Sequence, residues 1–174
     1  MKITLPNAKK APINGFWLKA FAMGTENFQS GFSDSFDALI DSGAIHTCVS
    51  EKIMNDILDK TKDADGQRLQ QAGSTKVGGV YADIHKTEPI YIIPHMYFDK
   101  LHLENVAITV LSNSSIDCII GRTILHQCIL QLNALENNIT FDFVPELRGK
   151  MKLVDGLPGF SKASIYTEGT DLAK

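Results

Sequence analysis

The chain has 174 residues, of which 44% are hydrophobic and 21% are charged, and its formal net charge is −3. This length and composition predict one globular domain with a sizeable core, alone or with a tail. The small negative charge excludes the broad basic surface that binding to a phosphate backbone needs, so we expect no nucleic-acid partner. No apolar run approaches the roughly 20 residues of a membrane span, and no secretory signal is visible, so we expect no membrane partner.

The cysteines and histidines have no spacing typical of a metal centre or a disulfide framework. Cys48, Cys118 and Cys128 form no CxxC pair, and the five histidines show no HxxxH spacing. An odd number of unpaired thiols is typical of a reducing compartment, and we therefore expect a cytoplasmic protein with buried thiols. We expect no metal and no cofactor. A metal or redox site built on His46 and Cys48 is the weakest of the alternatives.

The predicted elements are mostly short strands. Ser50 is a candidate N-cap for a helix, and the apolar residues after it fall on one helical stripe formed by Ile53, Met54, Ile57 and Leu58. The runs STKV and VYADIH flank a Gly-Gly pair, which predicts a hairpin. In chain order we predict a tail or edge strand in 1–14, strands at 16–23 and 36–40, the helix after Ser50, the Gly-Gly hairpin, strands at 90–93, 106–111 and 118–120, a short helix at 122–127, a hairpin of 129–132 with 139–143, and a weak strand at 163–167.

This order of elements predicts an all-β barrel or sandwich with two short helices, because strands do not alternate with helices as they do in a βαβ fold.

The segment ALIDSGA, residues 38–44, places an aspartate at the end of an apolar strand. A carboxylate directly after Leu39 and Ile40 is costly to bury unless it is paired or shares a proton. Two carboxylates about 3 Å apart can share one proton, so that one acts as general base and the other as general acid. Only Asp41 has this apolar-apolar-Asp-Ser-Gly context. A two-fold symmetric dimer would bring Asp41 and its symmetry mate together.

The two residues after Asp41 fit such a site. The Ser42 hydroxyl can hydrogen-bond across the two-fold axis, and Gly43 lets the backbone approach the carboxylates and offers them an N–H. The simpler alternative is a turn aspartate that caps backbone N–H groups, which is a frequent use of Asp-Ser-Gly.

Three motifs, in order along the chain, resemble those of the retropepsin-like (retroviral-type) aspartic peptidases. ALIDSGA is similar to the active-site signature of that family, in which apolar residues precede Asp-Ser/Thr-Gly-Ala. VGGV, residues 77–80, resembles the glycine-rich tip of the flap that closes over substrate. CIIGRTILHQCILQLN, residues 118–133, is similar to the second signature, in which an apolar-apolar-Gly triplet passes under the active site and leads into a short helix. The resemblance covers residues 16–143.

The resemblance implies a closed β-barrel lobe, active as a homodimer on a peptide or protein substrate without a cofactor. It also implies roles for individual residues. These are Asp41, Ser42 and Gly43 in catalysis, Ala44, Val77, Gly78, Gly79 and Val80 in the flap and cleft that bind substrate, and Ile119, Ile120, Gly121 and Arg122 in structural support.

The chain departs from the viral pattern in two places. Ile45 and His46 stand where the viral enzymes often have an acidic residue that pairs with the helix arginine, so we expect a different partner for Arg122. The chain is also longer at both ends. We therefore predict an N-terminal extension in 1–15, a peptidase domain in 16–144 and a C-terminal extension in 145–174, with a dimer interface that need not follow the family.

Two alternatives keep the same fold. One is a non-catalytic dimeric module that binds peptides. The other is a latent peptidase precursor, in which a terminal segment occludes the cleft or blocks dimer formation.

Overall fold

The computed structural model describes residues 1–9, 15–25, 31–61, 68–78, 86–144 and 159–166. Within these ranges lie eleven strands and two helices. They are β1 (Lys2–Pro6), β2 (Trp17–Met23), β3 (Phe36–Ile40), β4 (Cys48–Ser50), α1 (Glu51–Lys60), β5 (Gly73–Val77), β6 (Lys86–Phe98), β7 (Leu101–Leu111), β8 (Cys118–Ile120), α2 (Arg122–Leu125), β9 (Ile129–Asn133), β10 (Asn138–Asp142) and β11 (Lys162–Ile165).

Six strands close into a barrel. They run in the order β7-β4-β8-β3-β2-β6, and β6 pairs back to β7. The pairs β3–β8 and β4–β7 are parallel, and the other pairs in the ring are antiparallel. Strand β5 extends from β6 and β11 from β7, so both lie outside the closed ring. The prediction of an all-β closed barrel with two short helices is confirmed.

A second, three-stranded sheet places β1 beside the β9–β10 hairpin, in the order β1-β10-β9. Strand β1 pairs antiparallel with β10, with Lys2 opposite Asp142. Of the two structures predicted for residues 1–14, a tail or an edge strand, residues 2–6 form the edge strand. The predicted domain boundaries stay predictions.

The burial pattern of the early elements follows the sequence pattern. In β3, Phe36, Ala38 and Ile40 are buried on one face, as alternation predicts. The Ser50 hydroxyl caps α1 by accepting a hydrogen bond from the Ile53 N–H at 3.3 Å. Of the predicted helical stripe, Ile53, Met54 and Ile57 are buried and Leu58 packs partly buried against the same core, so this prediction is confirmed.

The hairpin of β6 and β7 is much longer than predicted. Our strand at 90–93 is the middle of β6, and our strand at 106–111 is the second half of β7; the two long strands turn at Asp99 and Lys100. The missed parts next to this turn carry polar residues on the outer face, which obscured the alternation. They also contain Pro94, which has no N–H for the ladder, and opposite it Asn105 with a left-handed φ of 53°.

The remaining predicted elements are present with small shifts. The closing hairpin is β9 with β10, the short helix α2 ends at Leu125 rather than at 127, and the weak strand is β11. The run VYADIH, residues 80–85, lies outside the described residues, although β5 and β6 on either side of it pair as a hairpin. None of the described helices is long and apolar enough to cross a membrane.

Candidate active site

Asp41 lies at the carboxyl end of β3, where the strand leaves the barrel and turns. Its backbone N–H donates to the Ile120 carbonyl at 3.1 Å, and its own carbonyl accepts from the Ala44 N–H at 3.2 Å. The Gly43 N–H donates to the Asp41 side-chain Oδ1 at 2.8 Å. Because these bonds fix both the backbone and one carboxylate oxygen, the partly exposed carboxylate has a defined direction at the barrel end.

The three residues after Asp41 differ in their hydrogen bonds and in the space around them. Ser42 is exposed, and within the described residues its hydroxyl makes no hydrogen bond. A Cβ at Gly43 would lie 3.0 Å from Asp41 Oδ1, so a side chain there would crowd the carboxylate. The Ala44 carbonyl accepts from the Arg122 N–H at 2.9 Å, which ties the loop to the start of α2.

A buried threonine pair holds the loop from beneath. Thr47 is fully buried, and its hydroxyl oxygen lies 2.9 Å from that of Thr123. The Thr47 N–H donates to Thr123 Oγ1 at 3.0 Å, and the Gly121 N–H donates to Thr47 Oγ1 at 3.2 Å. These bonds lock the segment after Asp41 to the segment between β8 and α2.

Gly121 is required by a close crossing of two backbone segments. A Cβ at this position would lie 2.1 Å from the His46 carbonyl oxygen, a distance that real atoms do not reach. The neighbouring Ile120 is buried, and Ile119 pairs with Leu39 on β3 and with Cys48 on β4. The predicted support residues Ile119, Ile120 and Gly121 therefore lie directly under the Asp41 loop.

Arg122 supports the Asp41 loop through its backbone. Its N–H bonds to Ala44, and the next N–H, of Thr123, donates to the Ile45 carbonyl at 3.1 Å. The Arg122 Nε is buried and has no hydrogen-bond partner within the described part of the chain. The side-chain partner that the sequence led us to expect is thus not found among these residues.

The predicted flap residues lie at the end of the β5–β6 arm. Val77 is the last residue of β5 and pairs with Lys86 on β6, and Gly78 is exposed. Gly79 and Val80 lie outside the described residues. The arm itself extends beyond the closed ring, as a covering hairpin requires, and the roles of its residues in substrate binding stay predictions.

Sequence reasoning predicted the strand β11 but missed the packing of residues 159–161, just before it, against α2. A Cβ at Gly159 would lie 1.7 Å from the Thr123 carbonyl oxygen, and the Gly159 carbonyl accepts from the Ala107 N–H at 3.1 Å. Phe160 is 4% exposed and packs edge-on against Phe143. This part of the predicted C-terminal extension is therefore integral to the core beside the threonine pair.

The missed residues left only faint signals in the sequence. Thr47 and Thr123 are hydroxyl residues in otherwise apolar stretches, and the pair Gly159-Phe160 is the only sign of the packed segment.

The three cysteines are free and buried. Burial raises the pKa of the Cys48 and Cys128 thiols to about 12 and that of Cys118 well above its usual value, so the thiols stay protonated. Among the described residues no cluster of three or more His, Cys, Asp or Glu side chains could hold a metal ion.

No protein-family model and no curated protein matches the sequence. The chain is similar in structure to a retropepsin-like aspartic protease from Rickettsia conorii, with a TM-score of 0.48 and 12% identity over 81% of this chain and 89% of that one. It is also similar to the retroviral protease-like domain of Ddi1 from Leishmania major, with a TM-score of 0.43 and 14% identity over 75% of this chain and 94% of that one. Both likenesses are distant.

Proposed function

We propose that this protein is an aspartic endopeptidase that acts as a homodimer, with the Asp41 carboxylates of two subunits activating one water molecule. The observation that carries the proposal is the Asp41 loop, in which the carboxylate is oriented by the Gly43 N–H at 2.8 Å and remains partly exposed. The buried Thr47–Thr123 pair holds this loop to the scaffold. A carboxylate that only capped a turn would not need such a support.

The chemistry needs both carboxylates in one site. Two carboxylates about 3 Å apart cannot both ionise, so they share one proton. The ionised carboxylate takes a proton from the water, which attacks the peptide carbonyl carbon, and the protonated one donates to the carbonyl oxygen. The tetrahedral intermediate collapses when the C–N bond breaks: the amine leaves with the proton that the first carboxylate took from the water, and a hydroxyl proton of the intermediate returns to the second carboxylate, which restores the shared proton. No covalent link between Asp41 and the substrate forms.

The free groups of the loop favour a second copy as the partner. The Ser42 hydroxyl has no hydrogen bond within the described residues, and it follows Asp41 directly. Ile45, four residues after Asp41, is 40% exposed although it is a large apolar residue. Both features fit a surface that a symmetry mate covers in the dimer.

In our proposal, strand β9 also belongs to the surface that the symmetry mate covers. It follows α2 closely in the chain and is the edge of the three-stranded sheet, and no strand among the described residues pairs with its outer side. Ile129 and Leu132 on this strand are 50% and 46% exposed, and Leu135 in the turn after it is 99% exposed. Antiparallel pairing of β9 with the partner's β9 would continue the sheet across the dimer.

The substrate class that we propose is an extended peptide. A peptide lying between the Asp41 loop and the β5–β6 arm would form strand-like backbone hydrogen bonds, and apolar pockets would set its preferred residues. Val77 and Gly78 would then act at the arm, together with Gly79 and Val80, and Ala44 beside the carboxylate.

The test is cleavage of a mixed peptide library by wild type and by Asp41→Asn at matched concentration, between pH 4 and 8. We expect cleavage by wild type alone, with activity lost at high pH as the shared proton leaves. Bound but uncleaved peptide with both proteins would instead indicate a peptide-binding module. Activity that starts only after limited self-cleavage would indicate a latent precursor. Equal cleavage by both proteins would refute the role of Asp41.

A further inference from the structure

A cluster of aromatic side chains covers the outer face of the barrel, built from residues that the proposed peptidase mechanism does not use. Phe21 on β2, Tyr97 on β6 and His102 on β7 are cross-strand neighbours in register. The Tyr97 ring stacks on both, with centroid distances of 4.7 Å to Phe21 and 4.4 Å to His102. The outer face of a barrel is normally in contact with water, yet Tyr97 is fully buried.

Two further rings cover Tyr97 from the solvent side. Phe32 and Tyr166 meet it edge-on, with centroid distances of 5.9 Å and 5.3 Å. The Tyr97 hydroxyl is buried and has no hydrogen-bond partner within the described residues. Burial raises the pKa of Tyr97 to about 12, so this hydroxyl stays protonated.

The covering rings border a recess of about 780 Å³, which is within the size range of small-molecule sites. Phe32 is 38% exposed, so part of its ring is open to a ligand. The residues around the recess are Lys19, Phe21, Phe32, Ser35, Asp99, Lys100 and Tyr166.

The charged groups at the recess favour an anion. Lys100 is exposed and forms no ion pair within the described residues, so its ammonium group is available. The Lys19 ammonium lies 2.5 Å from Asp37, which Lys9 also approaches at 3.6 Å. The Asp99 carboxylate also lines the recess and offsets one of these positive charges. Among the residues that line the recess, the two lysines outnumber the one carboxylate, so their formal charge is positive.

We propose that this recess, bordered by Phe21, Phe32, Tyr166 and Lys100, binds a planar aromatic carboxylate. The flat ring lies against the aromatic walls, and the carboxylate lies at Lys100, with Lys19 and the Ser35 hydroxyl as further donors. The site is separate from the proposed catalytic loop and does not depend on peptidase activity.

Titration by amide NMR tests the proposal with 2-naphthoate as the probe and 2-naphthamide as its uncharged match. We expect saturable shifts at Phe32, Lys100 and Tyr166, and unmoved signals at Ser42 and Gly43. The amide should bind at least about fivefold more weakly, because it lacks the charge that faces Lys100. Absence of saturation, equal binding of the two probes, or shifts centred on the Asp41 loop would each overturn the proposal.

Matched variants test the charged group and the aromatic wall of the site separately. Lys100→Gln should weaken 2-naphthoate about fivefold and leave 2-naphthamide unchanged, whereas Phe32→Ala should weaken both. Lys76→Gln, at an exposed position on β5, is the charge control and should change neither. Asp41→Asn should bind 2-naphthoate as wild type does, so that this result is independent of the peptidase test. An equal effect of Lys76→Gln and Lys100→Gln would contradict the assignment.

Discussion

Replacing Thr47 by valine tests whether the threonine pair holds the Asp41 loop. Valine has nearly the same shape, so the change removes the hydroxyl and places a methyl group among the polar atoms that bonded to it. The Gly121 N–H then loses the acceptor that it has at 3.2 Å, and the Thr123 hydroxyl loses its partner at 2.9 Å. Thr123 Oγ1 keeps the bond from the Thr47 backbone N–H. The Gly121 N–H is therefore left buried without an acceptor, whereas the Thr123 hydroxyl loses one of its two bonds to Thr47.

The expected cost follows from these bonds. A buried polar group that loses its partner costs about 1–3 kcal/mol, and the lost hydroxyl–hydroxyl bond adds about 1 kcal/mol. We therefore expect Thr47→Val to lower the free energy of unfolding by about 2–4 kcal/mol, and the melting temperature by roughly 6–12 °C. Peptidase activity should fall further than stability alone explains, because Gly121 and Ala44 anchor the loop that carries Asp41.

Urea unfolding measures the stability change, with an unchanged m-value as the sign that only stability was altered. Thr47→Ser restores the hydroxyl and should recover most of the loss. Thr87→Val, on the exposed part of β6, is the matched control and should change stability by less than about 0.5 kcal/mol. If Thr47→Val is as stable as the Thr87 control, the threonine pair does not support the loop and this reasoning is refuted.

Three further perturbations test other parts of the account. Gly121→Ala should destabilise the fold by at least about 3 kcal/mol, because its Cβ would lie 2.1 Å from the His46 carbonyl oxygen; a soluble variant with a wild-type melting curve would contradict the crossing. Burial and neighbouring His95 lower the pKa of His102 from 6.5 to about 4, so the unfolded chain binds a proton first as the pH falls. Stability is therefore complete above pH 6.5 and declines towards pH 4 by on the order of 2 kcal/mol, measured by urea unfolding; His102→Gln should flatten that slope. Phe160→Ala should cost about 3–5 kcal/mol by thermal unfolding, whereas Leu135→Ala, at a 99% exposed position, should cost almost nothing; equal costs would mean that the segment after Gly159 is not part of the core.

The sequence predicted the parts of the fold that local patterns encode. Alternation in β3 and the Ser50 cap of α1 depend on neighbouring residues, and both are as predicted. The hairpin of β6 and β7 was underestimated because Pro94 and polar residues on its outer face hide the alternation. Ring closure through the β6–β7 pair depends on contacts between strands, which a single sequence does not display.

The candidate site also contains some residues that sequence motifs predict and others that they do not. Asp41, Gly43 and Gly121 stand in recognisable motifs, and the structure brings them to one loop and its support. Thr47 and Gly159 stand in no motif. Thr47 acts through its hydroxyl contact with Thr123, which lies 76 residues away along the chain. Gly159 acts through its close approach to the Thr123 carbonyl oxygen in α2. Such long-range contacts could not be predicted from local spacing.

The measurement that most directly tests the central claim is peptidase activity in mixed dimers. Wild type and Asp41→Asn are mixed in equal amounts and allowed to exchange subunits, and the initial rate is compared with wild type alone at the same total concentration. If one site needs two Asp41 carboxylates, only dimers of two wild-type subunits cleave, and the rate falls to about one quarter. A rate of about one half would show that each subunit works alone, and would contradict a catalytic pair shared across the dimer.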